Sequence, residues 1–307
     1  MTAMTAEQES VRVRRGLPWY QLLWRDKFAT LSALWFVVLI GFVLIGPAFL
    51  NESAIKLDLS ARNAAPGLTH GWLYIFGADP LGRPLLPRLM VGARNTLAIA
   101  VSAVLIALTI GGLLGMIAGY LGGIVSAIIM RLADVISSFP SLLLALIVLY
   151  VLEPHVMNLV IVLAITRIAI YLRVTRAEVL EIRERVFVDA ARALGGSSVH
   201  IMRKHIAPVV APMLLTIMTV DFATVMLSES ALSFLGIGIQ APEITWGLMV
   251  SQGRNYLAQA WWLAFIPGLA IMLTALSANL LSSWLRTVND PAQRWRLETV
   301  RDKAKAK

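Results

Sequence analysis

The chain contains no cysteine, which removes disulfides, thiolate metal sites and cysteine nucleophiles together and leaves the redox compartment open. It is also short of charge. Only 15% of its 307 residues are Asp, Glu, Lys or Arg, while 58% are hydrophobic and the mean hydropathy is +0.74. Soluble domains carry about 25% charged and about 45–50% apolar residues, so there are too few charges here to coat a globule of this size. No Gly-Lys dipeptide occurs; a P-loop needs G-x-x-x-x-G-K-[ST] to cradle phosphates, and this chain has none. Its four histidines, His70, His155, His200 and His205, form no H-E-x-x-H zinc motif. There is no G-x-S-x-G elbow either. An intramembrane hydrolase is disfavoured on these grounds, and His205 reads as a loop residue. The composition is that of a membrane protein.

Runs without ionisable side chains place the spans. Residues 28–51 extend about 36 Å as a helix at ~1.5 Å per residue, enough to cross a ~30 Å hydrocarbon core. That run is too long for the apolar region of a signal peptide, so it reads as an uncleaved span. Residues 95–130 exceed one straight crossing, and a helix is expected to end near Gly119-Tyr120-Leu121-Gly122-Gly123. Further runs cover 135–152, 157–172 (interrupted by Arg167), 209–228 (interrupted by Asp221) and 255–285. Trp261, Trp262 and Trp284 flank the last one, as interfacial aromatics do. The expectation is an all-α polytopic membrane protein with about six transmembrane helices.

Lys and Arg, 27 against 18 Asp and Glu for a net charge of +9, set the orientation. They collect in 1–27, in 173–207 and after 285. An even span count puts all three segments on one side, which the positive-inside rule makes cytoplasmic. The chain then divides into a cytoplasmic segment 1–27, a first span 28–51, an external loop 52–94, a core 95–285 containing the cytoplasmic segment 173–207, and a basic tail 286–307, with both termini cytoplasmic. Nucleic-acid binding is an unneeded use of the basic surplus.

Small residues recur every four positions at Ala103, Ala107, Gly111, Gly115, Gly119 and Gly123. Lipid gives helices no hydrophobic reason to associate, so close approach through small residues supplies much of their packing energy. At ~3.6 residues per turn the stripe spirals, and one partner helix follows only part of it; a place in the substrate path is the other reading. Four ionisable residues, Asp134, Arg167, Asp221 and Glu229, lie in or beside apolar runs. Each is expected to face protein or water, either in structural pairs or interface positions, or as a proton or ion relay.

Residues 173–207 carry the most specific pattern. The fourth span is expected to continue helically through 173–187, which lacks Gly and Pro, with Glu181 and Arg185 paired at i,i+4. A short Ala-rich helix follows from Asp189, Gly195 supplies a left-handed stop, and a serine of the Ser197-Ser198 pair caps the next helix. That helix is expected to bury Val199, Met202 and Ile206 on one face before Pro208 opens the fifth span. The Ala-rich helix is slim enough to lie in a groove of another protein; an ordinary solvated loop is the competing reading.

The run Asp189-Ala190-Ala191-Arg192-Ala193-Leu194-Gly195, with Ile201 and Pro208 beyond it, resembles the EAA loop of bacterial ABC importer permeases. Gly77-Ala78-Asp79-Pro80-Leu81-Gly82-Arg83 with Arg88 and Gly92-Ala93-Arg94, and Leu227 to Gly238 followed by Pro242 and Trp246-Gly247, are similar to the C-type permease subunit of the dipeptide/oligopeptide/nickel branch. Asp189 stands where Glu is usual, Ala207-Pro208-Val209 replaces Leu-Pro-Asn, Pro84 and Pro87 replace Asp and Ser, and Arg167 falls where a small residue is usual. The resemblance implies the type I ABC importer permease fold in a bacterial cytoplasmic membrane. It further implies a second homologous permease subunit, two ATPase subunits holding ATP and Mg, an external or lipid-anchored substrate-binding protein, and no cofactor in this chain. ATPase coupling falls to Asp189–Gly195, Ile201 and Pro208. Asp221, Glu229, Ser233, Gly236 and Gly238 are candidates for the translocation path or a gate, the stretch 231–254 lying outside as a re-entrant or surface segment. The reading from a different class is an ion-coupled carrier using Asp221 and Glu229 without an ATPase.

Overall fold

A computed structural model describes residues 18–152 and 155–289. The expected cytoplasmic segment up to residue 17 and the tail beyond 289 lie outside the described residues. Among those described the chain is helical, with no named strand. Five helices are long and apolar enough to cross a membrane, or six if one sharply bent pair counts as a single span.

Trp19–Arg25 (α1) leads into Lys27–Phe49 (α2). Asp26 caps the second helix, its carboxylate accepting the backbone N–H groups of Phe28 and Ala29 at 3.0 and 3.1 Å. After the short helix Asn51–Ile55 (α3), residues 56–84 fold as a loop with two 3₁₀ turns. Asp58 holds the first of these turns: its carboxylate accepts from the Ser60 hydroxyl at 2.5 Å and from the Ser60 N–H at 3.1 Å. The Ser60 hydroxyl, first among the neighbours, holds the Asp58 carboxyl below its ordinary range.

Leu85–Leu121 (α4) begins earlier than the run at 95 suggests. Arg88 lies inside the helix and is buried because it has partners. It donates to the Ala54 carbonyl and to Gln252, both at 3.3 Å, and sits 3.7 Å from the Asp79 carboxylate. Ten residues of the expected external loop (85–94) are therefore helix. Gly122, at φ +66, turns the chain into Gly123–Ser137 (α5), and Ser141–Val151 (α6) follows at 81° to it. The expected span over 135–152 is thus bent at Pro140, which lacks the N–H a continuing helix needs. Arg131 and Asp134 lie within α5, hidden from a search for charge-free runs.

Val156–Ile182 (α7) packs parallel to α4 along the glycines. Cβ atoms built at Gly111 and Gly115 meet the Ile168 and Leu172 carbonyl oxygens at 2.6 and 2.5 Å, and one at Gly119 meets the Val179 side chain at 2.7 Å. Gly123 leaves this seam: nothing lies within 4 Å, and its φ of +51 marks it as a turn residue.

Val186–Ala193 (α8) and Ser198–Ile201 (α9) come next. A π-helical turn over Met202–Ile206 then runs directly into Ala207–Phe234 (α10). Trp246–Gly253 (α11) tucks back against α10, α4 and Trp262–Asn289 (α12). Two of the tryptophans that flank this last span are also packed on protein. Trp262 donates its indole N–H to the Ala78 carbonyl at 3.3 Å, and Trp284 packs with Leu22 and Ala29.

Candidate functional site

The segment after α7 forms a knuckle at one end of the bundle. The expected helix through 187 stops at Ile182, although no Gly or Pro intervenes. The physical reason is burial: Val179, Ile182, Val188, Ile201, Ile206 and Val210 share one apolar cluster, and the chain must turn between Ile182 and Val188 for both to reach it. Arg183 fixes the turn by donating to the Gly119 carbonyl at the end of α4, at 3.0 Å, and to Glu184 at 2.9 Å. A cation there also complements the helix dipole. Glu181 and Arg185 pair at 2.7 Å, and Asp189 accepts from Arg192 at 2.8 Å.

Within α8, Val188 is buried and Ala191 half-buried, while Asp189, Ala190, Arg192 and Ala193 face outward. Gly195 takes φ +84 after the helix, and the Gly195 and Gly196 N–H groups bond back to the Arg192 and Ala191 carbonyls, both at 3.0 Å. The Ser197 hydroxyl accepts the His200 N–H at 3.4 Å. The expected face Val199–Met202–Ile206 is not formed. Ile201 and Ile206 are buried and Val199 is exposed, because the π turn bonds i to i+5 and swings Ile206 onto the side of Ile201. Pro208, with no N–H and a ring that crowds the carbonyl four residues back, accounts for the widened turn just before it. Val186 and Leu194, 84% and 89% exposed, stand at the two ends of α8 with the small alanines between them.

Inside the bundle the ionisable residues find partners. Arg167 of α7 pairs with Asp221 of α10. This gives the unusual arginine a physical role that single-residue reading could not supply. Asp134 of α5 accepts from Arg173 of α7 at 3.0 Å. Glu229 is buried with hydroxyls for company, accepting from Ser233 at 2.9 Å and Ser230 at 3.2 Å. Ser233 in turn accepts the Ile239 N–H at 3.2 Å, so one serine links the carboxylate to the turn after α10.

Of the five residues read as path or gate, Glu229, Ser233 and Gly238 come together. Gly236 makes the turn at φ +82, and Asp221 stands two helical turns away with Arg167. A Cβ at Gly247 would lie 2.6 Å from the Ser230 Cα, so α11 presses directly on this group. The stretch 231–254 is accordingly a continuation of α10 followed by a largely buried helix, as irregular backbone near a membrane must be.

Two residues that the sequence marks only as parts of the resemblance acquire specific roles. Trp246 locks α11 in place by donating from its backbone to Thr96 at 3.0 Å and from its indole to the Leu89 carbonyl at 2.9 Å. At the same end, Asp79 organises the loop before α4, accepting the Leu81 and Arg83 N–H groups at 2.9 Å and the Arg83 guanidinium at 2.6 Å. The Trp246 contacts reach about 150 residues back along the chain and need the fold to be seen, whereas those of Asp79 are local. Among the described residues no group of three or more His, Asp or Glu is placed to hold a metal.

Residues 111–295 match the family of binding-protein-dependent transport system inner membrane components. The chain is 36% identical to the probable D,D-dipeptide transport system permease protein DdpC of Escherichia coli (strain K12), over 88% of this chain and 91% of that protein. It is 40% identical to the di/tripeptide transport system permease protein DppC of Pseudomonas aeruginosa (strain UCBPP-PA14), over 71% and 72%. With the glutathione transport system permease protein GsiD of Escherichia coli O6:K15:H31 (strain 536 / UPEC) it shares 36% identity over 89% and 90%.

Proposed function

This chain belongs to the family of binding-protein-dependent transport system inner membrane components, and from that membership we propose that it forms one wall of an ATP-driven importer carrying small peptides across the bacterial cytoplasmic membrane. It works as a permease subunit beside a second, homologous permease. Two ATPase subunits supply ATP and Mg, and a binding protein, free or lipid-anchored, delivers the substrate from outside. Both termini and α8 face the cytoplasm, where the basic segments place them. Relatives named for D,D-dipeptides, di/tripeptides and glutathione support a short peptide as cargo.

The observation that carries this reading is the shape of the knuckle. An alanine-faced helix with exposed apolar ends offers a slim ridge to a groove in another protein, and its buried side is fastened to both α7 and α10. When the ATPase pair closes on nucleotide, it pushes this ridge, with Asp189–Gly195 as the contact and Ile201 and Pro208 as its footing. The push switches the path only if the ATPase grips α8 differently in its open and closed states. The ion-coupled carrier without an ATPase does not fit the family, and Asp221, its central residue, is engaged by Arg167.

The experiment is reconstitution of the whole assembly in liposomes with its binding protein and a labelled dipeptide. Uptake is expected to require internal ATP. Ala191→Trp and Gly195→Val are expected to lower it at least tenfold while the assembly still forms. Undiminished uptake by both variants removes the role of α8, and pH-gradient-driven uptake by this chain alone removes the importer reading altogether.

A further inference from the structure

Between α2, α4, α10 and α12 runs a groove of about 690 Å³. Phe36, Leu39 and Val43 of α2, Val101 and Val104 of α4, and Phe222 of α10 are among the side chains that line it. Two polar side chains belong to the lining, Thr219 and Arg94. The Thr219 hydroxyl is already spent, donating to the Thr216 carbonyl at 2.7 Å. Arg94 is exposed and, among the described residues, makes no ion pair or hydrogen bond. The α4 part of the lining runs from Arg94 to Leu105, about 16 Å along the helix at ~1.5 Å per residue. The side of the groove is bounded by exposed Ile40, Leu44, Val101 and Leu105, so it opens laterally to whatever surrounds the apolar bundle.

A peptide is the wrong guest here. Its amides would leave water and find one guanidinium along the whole length, and unmatched polar burial is unfavourable. A hydrocarbon chain loses nothing by entering, and an anionic group at one end completes Arg94, which presents a forked set of donors suited to phosphate. We infer that this groove holds one acyl chain of a membrane glycerophospholipid, with its headgroup phosphate on Arg94, as a wedge between α2 and the rest of the bundle. In the orientation proposed above, Arg94 lies toward the outer end of α4 and the lipid belongs to the outer leaflet; the inference rests on that orientation for the leaflet alone.

The test uses the complete assembly in vesicles of phosphatidylethanolamine and phosphatidylglycerol that contain a phospholipid with a photoreactive group on its acyl chain. Cross-links are expected to concentrate on residues 97–105 and 218–222, at least fivefold over the exposed face of α12 at Phe265, Met272 and Leu276. Val101→Trp fills the groove and is expected to erase that excess. Arg94→Gln, which leaves the groove volume unchanged, is expected to lower phospholipid retention in native mass spectrometry about tenfold, and Arg94→Lys to keep most of it. Should Val101→Trp fail to assemble, the Gln and Lys variants decide. Uniform labelling overturns the inference, as does equal retention by the Gln and Lys variants. So does a cysteine at 101, unique in this chain, that cross-links to the second permease subunit. ATP-driven uptake is scored separately: its absence with lipid still held condemns the transport reading and leaves the wedge standing.

Discussion

Replacing Arg167 by Leu strands a carboxylate. Asp221 is 3% exposed and Arg167 19%, so the pair sits between α7 and α10 with little water to take over from a lost partner. Breaking a buried pair from one side costs about 3–5 kcal/mol. Because Arg167 keeps some access to solvent, the lower end, about 3 kcal/mol or roughly a hundredfold in the folded-to-unfolded ratio, is expected for Arg167→Leu. Asp221→Leu should cost less, since a long arginine can reach toward water on its own. The double variant, Arg167→Leu with Asp221→Leu, should lie within about 1 kcal/mol of the parent or above it, because two apolar side chains need no partners. The buried Tyr171 of α7 also interacts with Asp221, but a neutral phenol does not replace the charge of the lost guanidinium. The assay is a four-corner cycle of reversible unfolding in mixed micelles. Polar contacts between membrane helices average about 0.6 kcal/mol. A coupling energy no larger than that, with the double variant destabilised by the sum of the two single effects, refutes the claim that this ion pair clasps the two helices.

The glycine seam predicts opposite outcomes for neighbours in one stripe. Gly115→Leu puts atoms where the Leu172 carbonyl already lies, at 2.5 Å from the first added carbon, and should cost at least the ~1–3 kcal/mol of ordinary overpacking, seen as loss of monodisperse assembly. Gly123→Ala meets open space and only the penalty of a left-handed backbone, about 1–2 kcal/mol, so its assembly should survive. Ser233→Ala removes a donor to buried Glu229 and the acceptor of the Ile239 N–H. About 1–3 kcal/mol is expected, with amide exchange at Ile239 accelerating at least tenfold while exchange at Val179 stays unchanged.

Much of this architecture is legible in the sequence because the bilayer imposes a simple rule, and the exceptions are where that rule is locally suspended. A charge-free run locates α2 and the middle of α4 because lipid tolerates nothing else there. It fails at the start of α4, where Arg88 is admitted by Asp79, Ala54 and Gln252, partners supplied by segments far away in the chain. It fails again at α5, where Arg131 and Asp134 interrupt the apolar pattern within a helix. Local chemistry was the better guide at the knuckle: Gly195 and Ser197 adopt the stop and the cap their types favour. The turn at 183–185 and the π turn at Met202–Ile206 escaped, because both are set by which side chains the cluster of Val188 and Ile206 must gather, and that is a tertiary demand. Arg167 and Asp221 show the same limit. Each is a lone oddity in its own run, and only the packing of α7 on α10 makes them one feature.

The fastenings along α7 and α10 differ in kind, and the difference assigns them different parts in the proposed cycle. At the foot, both helices enter the apolar cluster that holds α8, so a push on the knuckle reaches them together. About fifteen residues up α7 from Ile182, roughly 22 Å at ~1.5 Å per residue, Arg167 clasps Asp221. At the far end α10 leaves α7 for α11, gripped through Gly247 against Ser230. Meanwhile α7 is bound along its length to α4, where carbonyl oxygens sit in the space a side chain would need. Close backbone packing of that sort has few alternative registers, whereas an ion pair between flexible side chains tolerates a change of angle without losing its attraction. The α4–α7 pair should therefore move as one body and α10 should tilt against it, with the ion pair as pivot and the Glu229–Ser233–Ile239 link carrying the displacement to the opposite mouth. Freezing the pivot with a covalent link between positions 167 and 221 should then stop ATP-driven uptake while ATP hydrolysis continues, whereas a link between 111 and 168, within the rigid pair, should leave uptake intact.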